Sequence, residues 1–217
     1  MVRIFETALY TEREKELPST GKHILAHYDD ETVVVYQAFC PEIAEFALEE
    51  GEFANAPGFN LHRITWIKPG FLWMMHRSGW ATKINQERVL AIWLDRVGFD
   101  AILRKAVMTS FHPALHTNQQ QWQARIKSSA VRVQWDPDYA PDDSRLARKA
   151  IQIGLGGKTA MHYAHGGWII DIADMTDMVR EQKVNATAPF KDLFVPVERP
   201  YPVFDPQVAR RIGVISQ

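Results

Sequence analysis

The sequence predicts a single α+β domain over residues 1–217, with a mixed or antiparallel sheet, or sheets, around a cleft and a few flanking helices. Three observations carry that expectation. Short β-branched and aromatic runs recur along the chain, at 32–39 (TVVVYQAF), 89–94 (VLAIWL), 131–135 (VRVQW), 150–155 (AIQIGL) and 167–172 (GWIIDI). The helical patterns between them are too few for a doubly wound sheet. The composition, 46% hydrophobic and 24% charged, is that of an ordinary globular chain long enough to fold on one core without staples.

Taken in order, residues 1–22 are polar and read as an arm, closing on Pro18, Ser19, Thr20 and Gly21. The run 32–39 is too short for a helix and reads as a buried strand. Pro41 then opens a helix at the position where a missing N–H costs nothing. Its apolar stripe is Ile43, Ala44, Phe46 and Ala47, its wet side carries glutamates, and Gly51 stops it. After a Pro57-Gly58 turn, residues 63–68 form a strand broken by Pro69-Gly70, and a second short element covers 71–75. Phe99, Ile102, Leu103 and Ala106 place a helix over 98–107. The Gln-rich stretch 116–126 is a short exposed helix or a loop. The strand 131–135 ends in Asp136-Pro137-Asp138, a turn signature. The strand 150–155 runs into Gly156-Gly157, one or two helical turns follow over 159–164, and 167–172 is the last strand. Residues 196–217 are Pro-rich and extended over the surface, with a short helix at 207–212.

Cys40 is the only cysteine, so no intramolecular disulfide and no Cys-based metal site can form. The first twenty residues lack an apolar run, and nothing approaches 18 consecutive apolar residues. A cytoplasmic protein with no membrane partner is the expectation. A net charge of -1 argues against a polycationic nucleic-acid coat, but it conceals a local asymmetry. Residues 62–83 hold Arg63, Lys68, Arg77 and Lys83 with no Asp or Glu, while five Glu crowd positions 42–52.

Interleaved with those cations are Trp66, Phe71, Trp73 and Trp80. Cations hold phosphate oxygens and aromatic faces stack on bases, so this stretch suits a nucleotide or a nucleic-acid strand. The alternative is that the aromatics are core and the charges are solvated. Arg132, Trp135 and Asp136 could clamp a ligand at a strand end, or Arg132 and Asp136 could pair to fix the turn. Gln152 interrupts an apolar strand, where it faces either solvent or a site. His112/His116 and His162/His165 have helical spacing but no acid partner in a metal-binding arrangement, so no metal is expected. The glycines 154, 156 and 157 lack the Lys-Ser/Thr of a phosphate loop.

Five stretches, VVVYQAF (33–39), RITWIKPGFLWMMHRSGWATK (63–83), VRVQWDPDY (131–139), RKAIQIGL (148–155) and WIIDIADMT (168–176), together resemble the family called domain of unknown function 4291. That resemblance implies no activity. The order of elements is also similar to small ADP-ribosyltransferase-like domains, which bind NAD in a cleft between two short sheets. This second likeness implies catalytic positions at Tyr36 or Gln37 and at Gln152. It implies a pyrophosphate held by Arg63, Lys68 or Arg77 and an aromatic stack from Trp66 or Trp80. Two departures stand beside it: 33–39 carries no Arg or His, and Gln152 stands where a Glu is usual. The functional expectation is therefore a nucleotide-binding protein, with ADP-ribose transfer from NAD to a nucleic-acid or other acceptor as its enzymatic form. A non-catalytic nucleic-acid or nucleotide-binding module and a protein-interaction domain are the alternatives.

Overall fold

The structure, a computed structural model, describes residues 6–113, 115 and 118–214. In chain order the elements are β1 (Thr7–Leu9), α1 (Tyr10–Glu16), β2 (Gly21–Lys22), β3 (Leu25–Ala26), β4 (Thr32–Phe39), α2 (Pro41–Glu50), β5 (Thr65–Ile67), α3 (Phe71–Ser78), β6 (Arg88–Asp95), α4 (Arg96–Lys105), β7 (Ala106–Met108), α5 (Gln119–Ser128), β8 (Val131–Tyr139), β9 (Arg145–Leu155), α6 (Gly157–Ala164), β10 (Ile169–Asp174), α7 (Thr176–Lys183), β11 (Phe194–Pro196), β12 (Arg199–Pro200) and α8 (Pro206–Ile212).

Two sheets organise the chain. The first is antiparallel, in the order β10-β6-β4. Its strands are apolar on both sides because both faces are covered. Val33, Val35, Leu90 and Ile92 face one core, and Val34, Tyr36, Ala91 and Trp93 face another. The second sheet is mixed, in the order β2-β9-β8-β7, with β5 added to β9. β2 and β5 both pair with β9, at its start and at its end respectively. Val131, Val133, Ile151 and Ile153 on its inner face join the first core, so the two sheets pack face to face. Helices α2, α4, α6 and α8 add side chains to the same core, while α3 and α7 cover the second one with Phe71, Met74, Met75 and Val179.

The helix over 41–50 forms as its residues dictate: Pro41 sits at the first turn, Ala44 and Ala47 are buried, and Gly51 ends it at φ 70°. Two expectations are revised, the helix expected at 207–212 is present as α8, and α7 and β12 are elements the sequence reading did not include. The arm at 1–22 is not loose, because it contributes β1, α1 and β2. Asp136-Pro137-Asp138 is not a turn, because β8 runs through to Tyr139. The register shift between Pro137 and Tyr139 is a bulge, which accommodates a proline that could not donate in a regular ladder. The stretch 176–183, which carries no strong apolar run, forms α7. The segment 196–217 holds β12 and α8 within the described residues.

What anchors the arm is a buried guanidinium. Arg148, 2% exposed on β9, donates from Nε to Asp138 Oδ2 at 2.6 Å and from Nη1 and Nη2 to the two oxygens of Glu14 at 2.6 and 2.8 Å. The bidentate grip on Glu14 ties α1 to the β8–β9 hairpin. Burial pushes the Asp138 carboxyl above its ordinary range despite the guanidinium beside it. Removing one member of such a cluster strands the others. Arg148→Met should lower stability by about 3–5 kcal/mol in urea unfolding. A loss under about 1 kcal/mol would show that the cluster holds nothing together.

Candidate functional site

The face of the second sheet that turns away from the core is polar, and alternation explains why. In a strand, successive side chains point to opposite faces. On β8 the residues Val131 and Val133 go into the core with Trp135, whose indole Nε1 donates to Ile212 O at 2.7 Å. Arg132, Gln134 and Asp136 therefore share the outer face. On β9, Gln152 lies directly opposite Gln134, and Gly154 opposite both Arg132 and Trp66 of β5. Lys68 follows two residues after Trp66 and pairs with Tyr36 of β4, with Tyr36 N to Lys68 O at 2.7 Å and Lys68 N to Tyr36 O at 3.2 Å.

Over this face opens a cleft of about 620 Å³. Its wall includes Arg63, Lys68 and Arg77, the aromatic rings of Phe59 and Trp66, and the amides of Gln37, Gln134 and Gln152. None of its lining residues is an Asp or Glu. Three cations with no carboxylate among them make the cleft attractive to anions.

Each amide has a distinct task. Gln37 is occupied on both sides: Nε2 donates to Thr65 Oγ1 at 2.8 Å and Trp66 O at 3.2 Å, and Oε1 accepts from the Tyr163 hydroxyl at 2.6 Å. It serves the fold. Gln134 and Gln152 both donate to one carboxylate, Nε2 of the first to Asp136 Oδ1 at 2.8 Å and Nε2 of the second to Oδ2 at 2.7 Å. A carboxylate only accepts, so it fixes both amide nitrogens toward Asp136 on that face. The two carbonyl oxygens are thereby turned away from Asp136 and left as acceptors.

Lys68 is 6% exposed and donates to Trp66 O at 3.2 Å. Burial, with the Arg77 charge beside it, brings its ammonium down to about 8, against a smaller opposing pull from Asp136. Trp66 lies close over Gly154: a Cβ there would meet Ile64 Cγ2 at 2.8 Å and the Trp66 ring at 3.0 Å. The glycine is what lets both side chains lie flat on the sheet.

Of the residues singled out from the sequence, Gln37, Arg63, Trp66, Lys68, Arg77 and Gln152 come together at the cleft, and Asp136 is bonded to two of its amides. Tyr36 does not, because it is on the other face of β4 from Gln37, fully buried and edge-on to Phe71. Trp80 is buried against the same Phe71. Trp73 and Trp93 are also buried, so three of the four clustered tryptophans serve the core. Trp135 faces the core, away from Arg132 and Asp136, so these three do not form a clamp. Arg132 and Asp136 also stand four residues apart on the strand and make no pair to fix a turn. Lys83 donates to His76 O and Arg77 O at the end of α3. Gln134 was not singled out, although the alternation in 131–135 placed it opposite the valines.

His116 lies outside the described residues. His112 approaches Ser110, His162 packs on Trp168, and His165 faces Glu52. Among the described residues no group of three or more His, Cys, Asp or Glu could hold a metal ion. No helix of the described residues is long and apolar enough to cross a membrane.

The family model described as domain of unknown function DUF4291 matches residues 23–201. The chain belongs to this family. All the residues of the cleft fall inside the matched region, as do β4, β5, β8 and β9 that position them. No curated protein matches the chain.

Adding a methyl group at Gly154 tests the close approach of Trp66. Gly154→Ala should cost about 1–3 kcal/mol in thermal or urea unfolding, as overpacking does. A variant as stable as the parent would mean that Ile64 and Trp66 move aside freely.

Proposed function

We propose that the cleft binds a nucleotide. Lys68, Arg77 and Arg63 take the phosphate, the carbonyl oxygens of Gln134 and Gln152 accept from ribose hydroxyls or a base amino group, and Trp66 stacks on a ring. The observation that carries this reading is the pair of amides turned by Asp136, beside a buried amine on a wall without carboxylates. Fixed acceptors and cations in one cleft suit a ligand that is anionic at one end and rich in donors at the other.

The enzymatic form of this reading is transfer of ADP-ribose from NAD to an acceptor. Asp136 supports it, because its negative charge would lie near a ribose resting on the two amides. Such charge favours the oxocarbenium-like character of a breaking glycosidic bond. The residues present fit NAD in kind: cations for a pyrophosphate, acceptors for ribose hydroxyls and an indole for a flat ring. Gln152 then orients the ribose rather than acting as an acid or base.

Thermal unfolding with and without millimolar NAD is the first test. A ligand at about 100 times its dissociation constant adds about 2.7 kcal/mol. The shift should shrink in Lys68→Ala and in Gln152→Ala, each compared with its own ligand-free control. AMP in place of NAD separates nucleotide binding from a requirement for the dinucleotide. No saturable shift with either ligand would sink the reading.

The pH dependence follows from Lys68. In the folded protein its amine is neutral between about 8 and the ordinary lysine value of 10.5, while the unfolded chain stays protonated there. Protons are thus lost on folding, and the Lys68 contribution to stability rises with pH across that window. Binding of a phosphate runs the other way. AMP affinity measured by calorimetry should weaken by up to about tenfold per pH unit above 8. Lys68→Arg should flatten the profile, since a guanidinium keeps its charge. An unchanged profile in that variant would remove Lys68 from the phosphate site.

A further inference from the structure

The polar face does not end at Trp66. Where Arg132, Gly154 and Trp66 lie side by side on β8, β9 and β5, the cleft is closed off by Ile64 and the Trp66 ring. Beyond them a second cavity of about 310 Å³ opens, and Ile64 lines both. Its walls bring together His62 from the loop before β5, Lys127 from α5 and Arg132 from β8, with Ser128 and Ser129. None of its lining residues is an Asp or Glu.

Arg132 is unusual among these. Its Nε is buried with no hydrogen-bond partner among the described residues, and Nη2 reaches Ile126 O only at 3.4 Å. A buried guanidinium N–H without an acceptor is costly, and no carboxylate among the cavity's lining residues is there to supply one. Nε itself is shut off from the cavity, so an anion there would meet the Nη nitrogens, whose one bond to the protein is that long contact to Ile126 O.

We infer that this second cavity is an anion subsite continuing the cleft, and that the ligand taken by both is a single-stranded nucleic acid. The inference rests on the nucleotide reading of the cleft and names its substrate class. One phosphate sits with Lys68 and Arg77, a base lies against Trp66, and a further phosphate sits with Arg132 and Lys127. Spacing selects a strand over a dinucleotide. Trp66, Gly154 and Arg132 stand in one row across β5, β9 and β8, so Lys68 lies two residues along from that row, roughly 7 Å, and two strands across from Arg132, roughly 10 Å. The two phosphoryl groups of one pyrophosphate share an oxygen and cannot reach both subsites. Phosphates of a strand can, and an aromatic ring between cations is the element on which unpaired bases stack. NAD in the cleft would leave the second cavity without an anion.

The test compares three probes on the full chain by calorimetry: AMP, a hexaoligoadenylate RNA strand and the DNA strand of the same sequence. The hexamer of one or both sugars should bind at least about tenfold tighter than AMP, and the two sugars tell RNA from DNA. Arg132→Ala should weaken the hexamer by on the order of tenfold and lower its salt slope by about one. AMP binding should stay within about twofold of the parent. The exposed Lys127→Glu gives the same reading if Arg132→Ala fails to fold. A hexamer no tighter than AMP, or a variant that weakens both probes equally, overturns the strand and leaves the nucleotide cleft standing. Failure of AMP and both hexamers overturns the cleft as well.

Discussion

Everything at the cleft depends on the place where β4 of the first sheet meets β5 of the second. Two backbone hydrogen bonds between Tyr36 and Lys68 join the strands there. The Gln37 amide then locks the junction by reaching Thr65, Trp66 and the hydroxyl of Tyr163 on α6. Gln37 is 5% exposed, so each of those bonds satisfies a polar group that water does not reach. A strand of three residues would be marginal alone. Held from both sides, on one edge by Gly154 and Ile153 and on the other by Tyr36, β5 fixes Trp66 and Lys68 relative to Gln134 and Gln152.

The same constraint explains why Lys68 is a poor solvent cation. Its backbone belongs to the junction, so its side chain begins from a buried position and its amine cannot leave the wall. Lowering the ammonium to about 8 corresponds to roughly 3 kcal/mol of destabilisation at neutral pH, an expense carried by the fold as a whole. A methionine of similar length would avoid it. An amine held under that strain beside Arg77 gains more from an arriving anion than a lysine already solvated.

Much of this arrangement was legible in the sequence, and the exceptions have physical reasons. The run 32–39 read as a buried strand because its apolar residues do not alternate, and both its faces are indeed covered. The basic and aromatic stretch 62–83 pointed to the right region, yet it could not say which rings were core. Trp73 and Trp80 fall on or just after a helix whose inner side they fill, whereas Trp66 falls on a short strand whose outer side is open. Gln152 interrupted an apolar strand, but its partnership with Gln134 depends on the register of β8 against β9, a non-local fact. Asp136 was singled out for a clamp or a turn, and its place within a continuing strand was masked by the proline that follows it. A turn and a bulge share the same local chemistry, and only the continuation of the ladder to Tyr139 distinguishes them.

Two cations among the described residues are buried, and the contrast between them separates structure from site. Arg148 is surrounded by Glu14 and Asp138, with every nitrogen supplied by an acceptor, and its pKa is raised. Nothing further can be gained by bringing an anion to it. Lys68 has a single carbonyl, no carboxylate within bonding distance and an arginine for company. Sequence reading singled out Lys68 as a candidate site residue and not Arg148, although both are basic side chains in or beside an apolar strand. What divides them is the distribution of acids across the second sheet: Asp138 bonds Arg148 directly, whereas both oxygens of Asp136 accept from the Gln134 and Gln152 amides rather than from Lys68. The acid that would have neutralised Lys68 is instead used to orient the acceptors beside it. A cation left uncompensated beside acceptors left free is what supports the proposed ligand, one that carries both an anion and donors.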